Sequence, residues 1–300
     1  MDKREFTYEE QRLIKELYEQ GETQEHIRSI LCCKSSTLVN FLRANGMDKR
    51  KKNTLKNPDF LKNSRKYNVN EKYFENIDTQ EKAYWLGFLY ADGCVSERYD
   101  KKGNRKGAFM ELSLKKDDEE HLRSFLYDIG ANYPIKNRTV LCRGKEFGAV
   151  RTIISNTEFC KHLIAHGCVP NKTFVLQPPD IDDALVPHFI RGYFDGDGSL
   201  SFNNDTKSRA LSLLGTKALL EFIKEKSGIS KNIHVHKVKD ENVYCISING
   251  KESMKTFCQF IYADKAVFLE RKWEKALMLM KYLGCDTCRS ETAAMADLLD

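Results

Sequence analysis

Apolar residues in the first 47 positions recur three and four apart within three short segments, TYEEQRLIKELYEQG, TQEHIRSIL and SSTLVNFLRANG. That period is typical of amphipathic helices. Gly21 and Gly46 provide stop signals after the first and third segments, and Thr23 and Ser35 provide start signals for the second and third. The pattern predicts three helices whose spacing is similar to a helix-turn-helix unit, which binds DNA in many proteins, although small three-helix domains also bind proteins.

From residue 78 onward the same order of patterns occurs twice. Each copy gives an apolar helix, an alternating strand, a basic loop, a second strand, a helix, two further strands and a last helix. The equivalent residues Asp92 and Asp197 lie 105 residues apart, which is the size of a domain. The sequence therefore predicts an α+β fold of two pseudo-symmetric αββαββα halves joined at their first helices, preceded by a small three-helix domain. The predicted segments are the three-helix domain at 1–47, a basic linker at 48–77, the halves at 78–180 and 181–284, and a tail at 285–300.

Composition and charge narrow the functional class. The chain has 300 residues, 41% of them hydrophobic, a mean hydropathy of −0.55 and a net charge of +6. No apolar run approaches the roughly 20 residues of a membrane-spanning helix, and the acidic N-terminus does not resemble a targeting signal, so we expect a soluble, cytoplasmic protein without a membrane partner. Residues 49–66 carry eight Lys or Arg against one Asp, or 8 − 1 = +7. Such a run indicates a linker that follows DNA phosphates, with a solvated tether as the alternative.

Small residues stand four apart in both apolar helices, Gly87 with Ala91 and Gly192 with Gly196. Positions i and i+4 share one helix face, so each helix has a flat stripe against which another backbone can pack. We expect the two helices to pack on each other along these stripes. Their ends, and the aspartates there, would then lie together.

Asp92 and Asp197 would each stand at the negative end of a helix macrodipole and opposite one another, two unfavourable interactions that a divalent cation relieves. We expect metal there, with the adjacent backbone of Gly93 and Gly198 leaving the helices in left-handed turns. Asp195 has no acidic counterpart in the first copy. A helix cap is the alternative for each acid. A calcium-binding loop is another for DGDGSLSFNNDT, but this segment lacks the required Gly and Glu.

At these two helices the chain resembles the LAGLIDADG homing endonucleases, with WLGFLYADG and IRGYFDGDG as the two motifs and the likeness extending over roughly residues 70–283. The resemblance implies a monomer whose two four-stranded saddles lie along the major grooves of a long, asymmetric double-stranded DNA site. It also implies Mg²⁺-dependent cleavage of both strands, with Mn²⁺ as a substitute and Ca²⁺ supporting binding without cleavage.

Residues carried over from the family place Asp92 and Asp197 on the metal. A basic residue near the end of each half is expected to position water, and the candidates are Lys172 in the first half and Lys272 in the second, with Arg271 as its rival. Arg191 departs from the family because small or apolar residues are usual there, and an outward orientation would keep the helices close. No intein splicing frame surrounds the motifs, which indicates a free-standing protein.

Two other functions share this fold. One is a DNA-binding regulator that does not cleave, although such relatives typically lose the motif acids. The other is a maturase that binds its own intron RNA. The candidate DNA contacts are Lys34, Ser35, Thr37, Asn40 and Arg43 in the third helix, Lys49, Arg50, Lys51 and Lys52 in the linker, and Arg98, Lys101, Lys102, Arg105, Lys136, Arg138, Lys207, Arg209 and His236 in the strands and loops of the two halves.

Overall fold

The structure is a computed structural model that describes residues 6–47, 66–142, 144–203, 205–231, 234–238 and 242–285. The chain divides into two compact units, Met1–Tyr67 and Asn68–Asp300. The predicted linker residues Lys49, Arg50, Lys51 and Lys52 lie outside the described residues.

The first unit contains three helices, as the sequence predicts, and they are α1 (Tyr8–Glu19), α2 (Gln24–Leu31) and α3 (Ser35–Ala44). The hydroxyls of Thr7 and Thr23 accept hydrogen bonds from the first turns of α1 and α2, which satisfies backbone N–H groups that have no partner within the helix. The periodic apolar side chains meet in one small core, whose fully buried members are Ile14, Ile27, Leu38 and Leu42.

The second unit contains the two predicted halves. The elements of the first half are α4 (Gln80–Ala91), β1 (Gly93–Tyr99), β2 (Arg105–Lys115), α5 (Glu119–Asp128), β3 (Lys136–Cys142), β4 (Lys145–Ile154) and α6 (Thr157–Ala165). Those of the second half are α7 (Val186–Asp197), β5 (Gly198–Phe202), β6 (Arg209–Gly215), α8 (Lys217–Lys226), β7 (Val235–Lys237), β8 (Tyr244–Ser247), α9 (Lys251–Tyr262) and α10 (Glu270–Tyr282). Both halves have the predicted αββαββα order, which is thereby confirmed, and the second half has one additional helix, α10, at its end.

Each half forms a four-stranded antiparallel sheet, ordered β1-β2-β4-β3 in the first and β5-β6-β8-β7 in the second. One face of each sheet is buried against its helices. In β2, for example, every second side chain is buried, namely Ala108, Met110, Leu112 and Leu114. The side chains between them lie on the opposite, open face, because successive residues of a strand point to opposite sides.

Helices α4 and α7 pack on each other through direct backbone contact. A Cβ atom on Gly87 would lie 2.0 Å from the carbonyl oxygen of Phe189, and one on Gly192 would lie 1.9 Å from that of Tyr84. Neither position has room for any side chain. The helices therefore cross at a distance that only glycine permits, and their C-terminal ends are brought together.

None of the helices in the described part of the chain combines the length and the apolar content needed to cross a bilayer.

Candidate functional site

The two motif aspartates stand where a helix passes directly into a strand. Asp92 follows the last residue of α4, Asp197 is the last residue of α7, and β1 and β5 begin at the next residue. The expected left-handed turns at Gly93 and Gly198 are wrong. Gly198 is extended, with φ −73° and ψ 149°, and Gly93 is not among the residues with positive φ.

Close packing rather than a left-handed backbone accounts for these two glycines. A Cβ atom on Gly93 would lie 2.7 Å from the carbonyl oxygen of Leu89, and one on Gly198 would lie 2.5 Å from that of Phe194. The chain turns so sharply from helix into strand that the carbonyl of the preceding helical turn occupies the space of a side chain.

The two motif carboxylates lie close to each other at the C-terminal ends of α4 and α7. The Oδ2 atom of Asp92 lies 3.4 Å from the place that a Cβ atom on Gly196 would take, so it reaches across to α7. Both residues are exposed at the surface, yet the neighbouring protein groups desolvate their carboxylates. Burial, followed by the negative charge of Asp197, raises the pKa of Asp92 to about 6, and burial also raises the pKa of Asp197. The ionised pair is thus strained without a cation.

Lys172 and Lys272 bind the ends of the two motif helices. The ammonium of Lys172 donates hydrogen bonds to the carbonyl oxygens of Ala91, at 3.3 Å, and Gly93, which flank Asp92. Lys272 does the same around Asp197: it donates to Gly196 at 3.3 Å, to Gly198 at 2.6 Å and to Phe194 at 2.5 Å. The carbonyls of Ala91 and Gly196 belong to the last helical turns, where carbonyl oxygens lack partners within the helix, so both lysines stand at the negative ends of the motif helices.

The lysine charges oppose the effects that destabilise the ionised acids. Each ammonium lowers the pKa of both motif aspartates, which partly offsets the rise caused by burial. Lys272 is itself 5% exposed, and this burial lowers its pKa to about 8. Two acids and two lysines from opposite halves therefore form one electrostatic unit at the helix ends.

Arg271, the rival to Lys272, points elsewhere. Its Nε atom lies 2.9 Å from Oδ1 and 3.1 Å from Oδ2 of the buried Asp118 in the first half. The residue joins the two halves through an ion pair and makes none of the contacts that Lys272 makes with α7. Geometry thus distinguishes the two candidates where the sequence alone leaves them as rivals.

Arg191 is buried, so an outward orientation on the surface is wrong. It is 1% exposed, and its guanidinium donates to the carbonyl oxygens of Val267 at 2.8 Å and Ile261 at 2.9 Å. It also stacks over the ring of Tyr84, with its Cζ atom 5.4 Å from the ring centroid. Arg191 therefore lies beside the contact stripe and does not separate the helices.

Asp195, the acid without a counterpart in the repeat, is fully buried. Its carboxylate accepts hydrogen bonds from the hydroxyls of Tyr84, at 2.9 Å, and Tyr262, at 3.1 Å, and from the N–H of Leu269, at 2.8 Å. Protein donors occupy both oxygens, whereas Asp92 and Asp197 contact solvent. The contacts of Asp195 depend on side chains and loops far away in the sequence, so no local pattern predicts them.

The open face of the first sheet is basic. The strand register places Arg98, Lys136 and Arg138 there. Arg98 donates to Ser155 at 3.0 Å, and Arg138 lies 3.4 Å from Glu111. The same face carries Lys115 and Arg151, which were not among the predicted contacts, although strand alternation from Arg138 and Glu111 places them there.

Arg105 lies apart from that face. The register shifts between Arg98 and Tyr99, so that Arg105 pairs with Tyr99 and forms a 2.7 Å ion pair with Glu97 on the side opposite Arg98. Lys101 and Lys102 are exposed in the turn that joins β1 and β2.

The open face of the second sheet is nearly neutral, with His236 as its one predicted contact. Its other side chains are short or apolar: Ser199, Ser201, Ala210, Ser212, Leu214, Cys245 and Ser247. The predicted contacts Lys207 and Arg209 lie near the ring of Tyr282, with their charged centres 5.8 Å and 5.5 Å from its centroid. The two sheets therefore differ strongly in charge.

The predicted contacts of the three-helix unit lie at the start and along one side of α3. Lys34, the N-cap residue of α3, is exposed. So are Ser35, Asn40 and Arg43, and Thr37 is half-buried.

The donor set at the helix ends fits a hard divalent cation. Asp92 and Asp197 offer carboxylate oxygens, which are preferred by Mg²⁺ and Ca²⁺ over the nitrogen and sulfur donors that zinc favours. No cluster of three or more His, Cys, Asp or Glu side chains suited to a metal occurs among the described residues. The remaining positions around an ion would thus fall to backbone carbonyls, water or a ligand, and Mg²⁺ commonly retains several waters.

Comparison with known proteins gives one family match. Residues 185–262 match the model of the LAGLIDADG-like domain, and no curated protein matches the chain. Three similar solved structures are I-SmaMI bound to an uncleaved DNA target with calcium ions, I-SmaMI bound to cleaved DNA, and I-AabMI bound to uncleaved DNA. They are 15%, 15% and 14% identical, with TM-scores of 0.42, 0.40 and 0.40. They cover 70%, 70% and 71% of this chain and 96%, 94% and 91% of their own.

Proposed function

We propose that this chain, whose residues 185–262 match the model of the LAGLIDADG-like domain, is a site-specific endonuclease of the LAGLIDADG type that hydrolyses both strands of a long DNA site. The observation that carries the proposal is the paired arrangement at the helix ends. Each half contributes one solvent-accessible acid and one lysine, and the two sets lie next to each other at the ends of α4 and α7. A helix cap needs neither the pairing nor the lysines.

The arrangement suits the chemistry of phosphodiesters, whose negative charge repels nucleophiles. Asp92 and Asp197 are the residues that would hold divalent ions, and such ions stabilise charge on the scissile phosphates and lower the pKa of the attacking water. Lys172 and Lys272 keep the carbonyls on either side of each acid in place. Their positive charges lie beside both motif acids, where they would orient water during the reaction.

The two sheets explain why the site should be long and asymmetric. Each open face has the width of a four-stranded sheet, and strands are known to enter the major groove of DNA. Because the two open faces carry different side chains, the two half-sites should differ in sequence. The three-helix unit and the basic segment behind it would extend the contact with phosphates.

A supercoiled plasmid tests the function directly. The plasmid should carry the two sequences that flank the gene, joined directly to each other, because an endonuclease of this type is expected to cut the uninterrupted form of its own locus. With Mg²⁺ or Mn²⁺ we expect linear product from the wild type, and with Ca²⁺ or EDTA only binding. Asp92→Asn and Asp197→Asn should bind this plasmid and fail to linearise it, because Asn has nearly the shape of Asp without its charge.

Asp180→Asn is the matched control, because Asp180 is an exposed acid in the segment between α6 and α7, and it should cleave like the wild type. Tight, specific binding of the intact plasmid by a wild type that never cuts it in either metal would identify a DNA-binding regulator. Binding confined to the intron transcript would identify a maturase. Either result would end the nuclease proposal.

A further inference from the structure

Two residues at one position of the repeat, Tyr90 in α4 and Asp195 in α7, differ completely in chemistry. Each stands two residues before a motif aspartate, and each side chain is buried. Both contact the segment of their own half that leads to the lysine. Through these two contacts, each motif helix is joined to the segment that carries the lysine of the same half.

In the first half, Tyr90 holds the loop after α6. Its hydroxyl donates to the carbonyl oxygen of His166 at 2.5 Å. The next residue, Gly167, has φ +92°, and a Cβ atom there would lie 2.1 Å from the Tyr90 hydroxyl oxygen. The thiol of Cys168 then donates to the carbonyl of Leu89 at 3.5 Å. Three consecutive residues thus lie directly on α4, a few positions before Lys172.

In the second half, Asp195 holds the start of α10. Its carboxylate accepts the N–H of Leu269, which is the N-cap residue of α10, at 2.8 Å. The carbonyl of Leu269 in turn accepts the N–H of Lys272 at 2.9 Å. Tyr84 and Tyr262 donate to the same carboxylate and fix its orientation. Asp195 is therefore one hydrogen-bonded turn away from the lysine that caps α7.

We propose that Tyr90 and Asp195 are positioning residues, each of which ties the lysine-bearing segment of its own half to the motif helix and so keeps the ammonium on the carbonyls that flank the motif aspartate. The inference rests on the proposed function for its catalytic consequence, and on the contacts above for its structural one. A hydroxyl suits the first half because the docked atom there is a carbonyl oxygen. A carboxylate suits the second because the docked atom is an N–H group.

The proposal predicts a division between the two DNA strands. If each half acts on one strand, loosening one lysine should slow one strand and spare the other. Tyr90→Phe removes a single hydroxyl and leaves the ring packed against Phe189, with ring centroids 5.0 Å apart. Asp195→Asn keeps the shape of the side chain but replaces an acceptor by a donor. Tyr262→Phe removes one of the donors to Asp195, and it takes the place of Asp195→Asn in the experiment if that variant does not fold.

The first measurement is hydrogen exchange by mass spectrometry on the whole, metal-free protein. Tyr90→Phe should raise exchange several-fold in residues 166–174 and leave 266–272 unchanged, and Asp195→Asn should do the opposite. The second is single-turnover cleavage of DNA labelled on each strand. Each variant should slow one strand at least about tenfold, the two variants should slow opposite strands, and Lys172→Met should mask the effect of Tyr90→Phe.

Tyr193→Phe is the matched control, because its buried hydroxyl donates its hydrogen bond to Leu214 of β6, at 2.7 Å, and not to residues 166–174 or 266–272. It should produce no strand bias. Equal slowing of both strands by Tyr90→Phe and Asp195→Asn, or unchanged exchange in the two segments, would overturn the proposal. Hydrogen exchange does not depend on cleavage. A wild type that does not cleave DNA would count against the proposed function, and the exchange measurement would still show whether residues 166–174 and 266–272 are held on the motif helices by Tyr90 and Asp195.

Discussion

Lys172 and Lys272 make the same contact with the two motif helices, although they come from different kinds of secondary structure. Lys172 begins a short 3-10 turn, Lys172–Phe174, whereas Lys272 lies in the first turn of α10. Each ammonium donates to the carbonyl groups before and after a motif aspartate. The chain has thus placed a cation at each negative helix end before any metal binds, which makes the lysines both structural and catalytic candidates.

Substitution of either lysine by Met should separate these two roles. Cleavage should slow by about 10² to 10⁴, the range associated with positioned proton-transfer groups, while affinity for DNA changes little. Stability should fall as well, on the order of 1–3 kcal/mol, because buried carbonyls lose a charged donor. Lys272→Met should cost more stability than Lys172→Met, since Lys272 binds three carbonyls and Lys172 binds two.

Single-turnover cleavage and thermal unfolding of the same two variants provide the measurement. Arg271→Met is the matched control in the second half: it should lower stability through its ion pair with Asp118 and leave the rate of the chemical step near that of the wild type. Unchanged cleavage rates in both lysine variants would restrict the lysines to a structural role.

The motif aspartates should destabilise the metal-free fold at neutral pH. The pKa of Asp92 is about 6 in the folded protein against 3.8 for a free side chain, so the folded state holds its proton more tightly than the unfolded state. The stabilisation that the folded state gains from this tighter proton binding is therefore fully present below about pH 4, and it is lost as pH rises through about 6. In EDTA at pH 7.5, Asp92→Asn should melt at or above the wild-type temperature, and the difference should vanish near pH 4.

Mg²⁺ should reverse the order of stability, because only the wild type gains from binding the ion. Calorimetry at both pH values, with and without Mg²⁺, makes the comparison. A variant less stable than the wild type in EDTA at pH 7.5 would favour the helix-cap interpretation of Asp92, in which the acid exists to satisfy the backbone.

The sequence predicts the architecture because the pattern of each element is local. Apolar residues with helix and strand periods define the two αββαββα halves, and the repeat pairs Asp92 with Asp197. The small residues four apart likewise indicate where α4 and α7 touch, and the structure places the backbones in contact at Gly87 and Gly192.

The burial of Arg191 and Asp195 and the position of Arg105 depend on contacts between residues that are far apart in the sequence. The hydrophobic periodicity of a single helix or strand does not predict such contacts. Arg191 is buried because the carbonyls of Val267 and Ile261 lie next to it, and Asp195 is buried because two tyrosines and an N–H group donate to it. A one-residue register shift moves Arg105 away from the open face.

The contact between α4 and α7 should not tolerate even a methyl group. Gly192→Ala would place its Cβ 1.9 Å from the carbonyl oxygen of Tyr84, in a region where two backbones already touch. Overpacking of this kind costs about 1–3 kcal/mol, and more where backbone must move. For a unit of this size, each kcal/mol lowers the melting temperature by about 2–4 °C.

Gly148→Ala is the matched control, because a Cβ atom there would meet only the side chain of Lys116 at an ordinary 3.4 Å. Thermal unfolding of the two variants in parallel measures the difference. If Gly192→Ala melts no lower than Gly148→Ala, the helices are further apart in solution than the structure places them.

Removal of residues 1–66 should reduce the salt dependence of DNA binding. That segment contains the exposed Lys34 and Arg43 of α3 and the +7 run behind them. Each lost phosphate contact should reduce the slope of log K against log salt by about 0.9. Cleavage at high enzyme concentration should persist, because Asn68–Asp300 forms a compact unit that contains both motif aspartates. An identical slope for the full and shortened chains would show that the segment does not touch DNA.

The charge difference between the two sheets should appear as different kinds of loss when their open faces are changed. On the first sheet, Arg98, Arg138 and Arg151 share a face with the single acid Glu111. If these arginines contact phosphates, alanine at any one should weaken binding about equally for all sequences and reduce the salt slope by about 0.9. If one of them reads a base edge, the loss should be about 1–3 kcal/mol and confined to one position of the site. On the second sheet, Ser201→Ala and Ser212→Ala should change only which sequences bind, since a serine releases no counterions. Salt titrations of the five variants on the target and on single-base variants of it decide between these outcomes, and a salt slope that falls equally for both sheets would contradict the asymmetry.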